Sequence, residues 1–190
     1  MIRNKFLTLR KNFDVEEKIF SDFKIFENLK KSNLYKNSQN IFIFISFNDE
    51  IQTHDFICDA INQGKKVYVP YIRKKNSEIL PTRLRDFKND LIQGYSGILT
   101  VKENKLKFCD KNDLDLIVTP GLVFDNNGYR IGYGGGYFDK FFSDLNSNVF
   151  KLGICYDFQI IESLPIESFD IPVDAILTPS GFIDIAGKNL

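Results

Sequence analysis

The chain is poor in cysteine, has one histidine and carries no surplus of charge, and each scarcity removes a class of function. Cys58, Cys109 and Cys155 are far apart and form no CxxC pair, so neither a disulfide framework nor a zinc site is expected. Lys plus Arg equals Asp plus Glu at 25 each. Net charge therefore gives no reason to expect nucleic acid or a membrane as partner, and any anion site must be local. No apolar run approaches the roughly 20 residues that a membrane-spanning helix needs. The start, Met1-Ile2-Arg3-Asn4-Lys5, leads into charge, which makes the cytoplasm the expected location. His54 falls at the start of a predicted helix and is expected to be exposed rather than catalytic, and no Ser-His-Asp or Cys-His set is evident. Repeats, low-complexity tracts and linkers are lacking too. The 190 residues, 43% hydrophobic and 26% charged, are expected to form one domain over residues 1–190.

What is present is an alternation of helical and strand patterns. From Met1 to about Lys31, charge is dense and Ile19, Phe20, Phe23 and Phe26 recur at helical spacing, which predicts one or two amphipathic helices packed on a core. Ile41-Phe42-Ile43-Phe44-Ile45 is short, continuous and β-prone, as a strand covered on both faces should be. Thr53 is placed to cap a helix with the stripe Phe56, Ile57, Ala60 and Ile61, Gly64 to end it, and Lys66 to Val69 to form the next strand. Strand, helix, strand favours parallel pairing and hence an α/β fold. Residues 72–113 give only a loose assignment to strands and loops. Leu114 to Val118, Lys151 to Cys155 and Ala175 to Leu177 read as strands, and Tyr137 to Leu145 as a helix.

Five of the twelve glycines lie between Gly128 and Gly136, just before that last helix. Glycine adopts positive φ at little steric cost and lets a ligand approach the backbone, so such a turn can aim several N–H groups at one anion. With Arg130 nearby, the segment suits a polyphosphate. The spacing is neither a Walker A loop nor GxGxxG, since no Lys-Ser or Lys-Thr follows and Tyr137 stands where a glycine would be needed.

Asp115 to Asp125, then Gly128 and Arg130-Ile131-Gly132-Tyr133-Gly134-Gly135-Gly136-Tyr137-Phe138-Asp139, resemble the signature of the 5-formyltetrahydrofolate cyclo-ligase family. The resemblance continues in Ser46 to Thr53, Gly153 to Gln159 and Asp170 to Thr178, and leaves only residues 72–113 without a clear match. It implies an α/β fold, a mostly parallel sheet flanked by helices, related to the sugar-phosphate isomerase and CoA-transferase group. It also implies ATP, magnesium and a reduced folate meeting in one cleft of a monomer, with Arg130 and Asp139 as catalytic residues.

Carried over residue by residue, the resemblance implies ATP contacts at Arg3, Arg130, Ile131, Gly132, Tyr133, Gly134, Gly135, Gly136, Tyr137 and Phe138. It implies folate contacts at Ile45, Glu50, Tyr133 and Tyr137, and magnesium ligands at Asp139 and Asp174. Magnesium prefers one or two carboxylates with waters and phosphate oxygens, so two acids at an ATP site are chemically reasonable. Bland readings stand beside these: Asp139 as an acid in a helix's first turn, Asp174 as the end of a loop before its strand, the aromatics as core. Two departures are visible. Phe138 stands where many family members have tyrosine, and the lysine four residues before Arg3 would fall before Met1, with Lys5 a possible substitute. A sugar-phosphate isomerase or CoA-transferase-like enzyme, and a non-catalytic relative binding nucleotide or RNA, are the competing readings.

Overall fold

The computed structural model describes residues 2–73, 78–94 and 97–188. Along the chain run helices α1 (Ile2–Lys11), α2 (Val15–Lys31) and α3 (Asn33–Asn37), strand β1 (Asn40–Ile43), helix α4 (His54–Asn62), strands β2 (Lys66–Arg73) and β3 (Glu78–Leu84) and helix α5 (Phe87–Asp90). Strands β4 (Leu91–Gln93), β5 (Leu99–Val101), β6 (Leu116–Pro120), β7 (Val123–Asp125) and β8 (Arg130–Ile131) follow. Helix α6 (Tyr137–Phe142) and strands β9 (Phe150–Ile154), β10 (Ile160–Ile161), β11 (Ala175–Thr178) and β12 (Gly181–Asp184) complete the order.

The apolar runs form the middle of a seven-stranded sheet, ordered β12-β11-β9-β6-β1-β2-β3. The five inner strands are parallel, and β12 and β3 pair antiparallel at the edges. Alternation explains why those runs are continuous. Ile41, Ile43, Leu116, Val118, Ala175 and Leu177 face one core with Ile25, Phe26 and Leu29 of α2 and Phe56, Ile57 and Ala60 of α4. Phe42, Ile117 and Ile176 face a second core under Phe141 and Phe142 of α6.

Two expectations shift. The buried stripe of α2 is Asp22, Ile25, Phe26 and Leu29, so Ile19, Phe20 and Phe23 are exposed. Asp22 takes the inward position because its carboxylate accepts from the Tyr156 hydroxyl (2.7 Å), the Gln52 N–H (3.1 Å) and Lys18 Nζ (2.7 Å). Thr53 stands at the start of α4, but its hydroxyl accepts from the Ser46 N–H (2.9 Å) and makes no helix cap.

From β1 the chain steps to β2 on one side, whereas β6, β9 and β11 follow on the other. The strand order therefore reverses between β1 and β6, and the carboxyl ends of those strands flank a crevice, the usual ligand position in an open α/β sheet. A three-stranded ribbon, β10-β7-β8, extends from the end of β6. Phe6 of α1 packs with Leu122, Val123 and Leu164 on this ribbon, which seats α1 beside the crevice.

Candidate active site

The crevice is a cleft of about 1640 Å³. Single small-molecule pockets measure roughly 300–1,000 Å³, so this one has room for two ligands. Its walls come from the segment after β1 (Phe44, Ile45, Asp49, Glu50), Pro120 and Gly121 at the end of β6, the run from Arg130 to Asp139, and Arg3 of α1.

The segment after β1 is held by its own turn chemistry. Asn48 has φ +54, a left-handed conformation that asparagine tolerates, and the Glu50 N–H closes the turn on Phe47 O (3.2 Å). The Phe47 N–H donates to Glu50 Oε2 (2.9 Å). Burial raises the Glu50 carboxyl above its ordinary range, against the pull of that N–H and of the Arg10 charge. The Gly121 turn is held from behind, where Gln159 Nε2 donates to Gly121 O (3.1 Å) and Leu122 O (2.8 Å). Gly121 and Gly153 lie against the buried Phe124 ring, and a Cβ at either would stand 2.4 Å from it.

The glycine turn follows β8 and enters α6. Gly134 and Gly136 take φ of +99 and +62, whereas Gly135 is not in the left-handed region. Gly135 is required for another reason: its Cβ would stand 2.6 Å from the Tyr137 ring. Arg3 braces the turn, with Nε donating to Gly132 O (3.0 Å) and its guanidinium 3.3–3.4 Å from a Cβ built on Gly134. Tyr133 is 59% exposed and its hydroxyl accepts from Arg10 Nη2 (2.5 Å).

Arg130 is less free than its position in the sequence suggests. Its Nη1 donates to Ile171 O (2.8 Å) and its Nη2 to Asp139 Oδ1 (3.0 Å), while the guanidinium lies over the Phe142 ring at 4.5 Å. Burial lowers the guanidinium's pKa from its ordinary value, with Asp139 and Asp170 opposing. Asp139 also accepts from the Ile171 N–H (3.3 Å) at Oδ1, and both it and Asp170 line the cleft.

One expected ligand is misplaced. Asp174 precedes β11, at the amino edge of the sheet, and does not line the cleft. Its Oδ2 accepts from the Lys151 N–H (2.7 Å) and Lys151 Nζ (2.9 Å), and its Oδ1 from Lys188 Nζ (3.0 Å). Burial would raise this carboxyl, but the two lysines outweigh it and hold the pKa below the ordinary value. Asp174 is thus held by both lysines and stands apart from Asp139 and the cleft.

Every other residue assigned by resemblance, including Ile45, Glu50, Ile131, Gly132, Tyr137 and Phe138, borders the cleft. The Phe138 ring packs edge-on against Phe42 and Phe141, so an apolar residue suits that place. Sequence reasoning missed the apolar wall made by Tyr71, Ile79, Ile92, Ile98 and Val101, along with Phe169 and Asp170. In the sequence the short apolar piece Gly97-Ile98-Leu99 marks part of this wall. His54 is half-buried, its ring nitrogen 3.2 Å from Ser46 O and its ring against Phe87. Among the described residues no group of three or more His, Cys, Asp and Glu could hold a metal, and no helix is long and apolar enough to cross a membrane.

The chain is 31% identical over 147 residues to the 5-formyltetrahydrofolate cyclo-ligase of Escherichia coli K12, covering 75% of this chain and 79% of that one. It superposes on the 5,10-methenyltetrahydrofolate synthetase of Aquifex aeolicus with a TM-score of 0.86 and 29% identity, over 100% of this chain and 94% of the other. The translation initiation factor eIF-2B of Pyrococcus horikoshii is a distant likeness in fold alone, with a TM-score of 0.50 and 10% identity over 90% of this chain and 66% of that chain. A family model covers residues 1–179, the cleft and both sheet faces together, and by it the chain belongs to the 5-formyltetrahydrofolate cyclo-ligase family.

Proposed function

We propose that the cleft converts 5-formyltetrahydrofolate and ATP into 5,10-methenyltetrahydrofolate, ADP and phosphate. A formamide is a poor electrophile, and loss of its oxygen as hydroxide is slow. Transfer of the γ-phosphoryl group to the formyl oxygen, with ADP leaving, makes that oxygen a phosphate leaving group. N10 of the folate then attacks the formyl carbon, loses its proton, and phosphate departs with the oxygen. Neither step needs a nucleophilic side chain, because phosphoryl transfer asks mainly for positioning and charge stabilisation.

The chain supplies both. Backbone N–H groups of the glycine turn and the Arg3 guanidinium face the polyphosphate, and Glu50 accepts hydrogen bonds from the amino-pyrimidinone edge of the pterin. Ile45 and the rings of Tyr133 and Tyr137 cover the folate, and Phe138 closes the cleft floor. Arg130 works from behind, orienting Asp139. The donor set fits magnesium with one protein ligand in the first instance: Asp139 Oδ1 is engaged with Arg130 and Ile171, and the same carboxylate borders the cleft. Bound there, magnesium would neutralise charge on the transferring phosphate.

The observation that carries this reading is the convergence of Arg3, Glu50, the glycine turn and Asp139 on one cleft with space for two ligands. Its test is the appearance of the methenyl product's near-ultraviolet absorbance when protein, ATP, magnesium and 5-formyltetrahydrofolate are mixed. Folded protein without that signal would end the proposal and return the sugar-phosphate isomerase and CoA-transferase readings.

A further inference from the structure

Arg10 is a buried cation that the proposed reaction does not use. It sits in the last turn of α1, is 4% exposed, and does not itself line the cleft. Burying a guanidinium is costly unless its donors are met. Here they are met by two residues that do line the cleft: Nε donates to Asp49 Oδ2 (2.9 Å) and Nη2 to the Tyr133 hydroxyl (2.5 Å). Asp49 is the neighbour of Glu50 in the turn after β1, and Tyr133 is the second residue of the glycine turn. One side chain thus ties together three segments far apart in sequence.

We propose that Arg10 is a positioning residue for the folate end of the cleft, holding the Tyr133 ring and the Asp49 turn in the places from which they flank Glu50. The inference rests on the folate reading above. An exposed tyrosine left to itself samples several rotamers, and ordering it on binding weakens affinity. Arg10 removes that freedom beforehand, with the forked geometry that serves a carboxylate and a hydroxyl at once. Lysine offers a point charge without the fork and cannot hold both partners in the same way.

The test uses Arg10→Lys, Tyr133→Phe and the double variant, with circular dichroism to confirm folding. Michaelis constants are measured for 5-formyltetrahydrofolate and ATP separately. The expected result is a rise of about 10-fold in the folate constant for each single variant, with the ATP constant within about twofold. Because Arg10 acts in part through Tyr133 and in part through Asp49, the double variant should fall clearly short of the product of the two single effects. An unchanged folate constant in Arg10→Lys, an equal rise for both ligands, or independent multiplication of the two effects would overturn the proposal. If the unaltered protein neither binds nor converts 5-formyltetrahydrofolate, the folate reading fails, and hydrogen exchange of amides 47–50 decides the positioning role. Faster exchange there in Arg10→Lys supports the Arg10 contact as the restraint on the turn after β1, and unchanged exchange removes it.

Discussion

Glu50 combines a functional demand with a structural cost. Its carboxyl is raised by burial, so the folded chain holds that proton more tightly than the unfolded chain does. The sign of the consequence follows from linkage: stability falls as pH rises from the unfolded value through the raised folded value, because the native state must then bear a buried charge. Glu50→Gln is therefore expected to melt at a temperature equal to or above that of the parent at neutral pH, the difference closing as pH drops below the folded pKa. Its folate affinity should fall by roughly 10-fold or more, the scale of a lost charge-assisted hydrogen bond, while ATP affinity stays put. A variant that loses stability together with affinity for both ligands would mean that Glu50 serves the fold. The acid after a β-rich run was legible in the sequence. The burial that raises its pKa was not, and neither were the Arg10 charge and the Tyr133 hydroxyl that oppose it alongside the Phe47 N–H, since these arise only when distant segments meet.

At the scale of elements, the glycine turn is where backbone conformation and ligand contact coincide. Gly134 has φ +99, which a side chain rarely adopts, and its Cβ would press on the Arg3 guanidinium. Gly134→Ala should raise the ATP Michaelis constant about 10-fold, in keeping with roughly 1–3 kcal/mol for such backbone strain. Gly64→Ala is the matching control: φ there is +82 with open space around it, after the end of α4 and away from the cleft. It should lower the melting temperature and leave ATP kinetics alone. Equal kinetic effects at both glycines would show that strain, and not the site, governs the result. The elements legible from sequence were those covered on both faces, such as β1, β6, β9 and β11, because such strands read as continuous apolar runs. β3, β4, β5 and β12 are edge or ribbon strands with mixed burial, so their pattern is weak. α6 ends at Phe142 and not at Leu145, because Ser143 (φ −58, ψ 138) leaves the helical conformation.

Over the whole molecule, the two edges of the parallel sheet do different work. The carboxyl edge carries Glu50 and the cleft, and the amino edge carries Asp174 between Lys151 and Lys188. A pair of variants separates them. Asp174→Asn should cost about 1–3 kcal/mol of stability at neutral pH, as expected for an ionic partner removed from a buried set. That contribution is present above the unfolded carboxyl value and lost as pH falls through the depressed folded one, so parent and variant should converge in acid. Its magnesium dependence should match the parent's. Asp139→Asn should also lose stability, because it leaves the buried Arg130 guanidinium without its charged partner, but unlike Asp174→Asn it should need more magnesium for the same turnover. A shifted magnesium requirement in Asp174→Asn would restore that residue to the metal site.

Local sequence was sufficient for the α/β class, the central strands, the glycine turn and the family resemblance, because periodicity, turn chemistry and motif spacing are properties of neighbouring residues. Even the edge on which Asp174 lies was implicit, since an acid before a parallel strand stands at the end opposite to one after it. What only the tertiary structure decided was which partners each polar group would meet. Arg10 looks like one more charge on an amphipathic helix, and Arg130 like a free cation beside glycines, until the chain closes. Then Arg10 bonds to residues 39 and 123 positions away, and Arg130 commits its donors to Asp139 and Ile171. Burial and partner choice depend on contacts between distant segments, and no window of local sequence contains them.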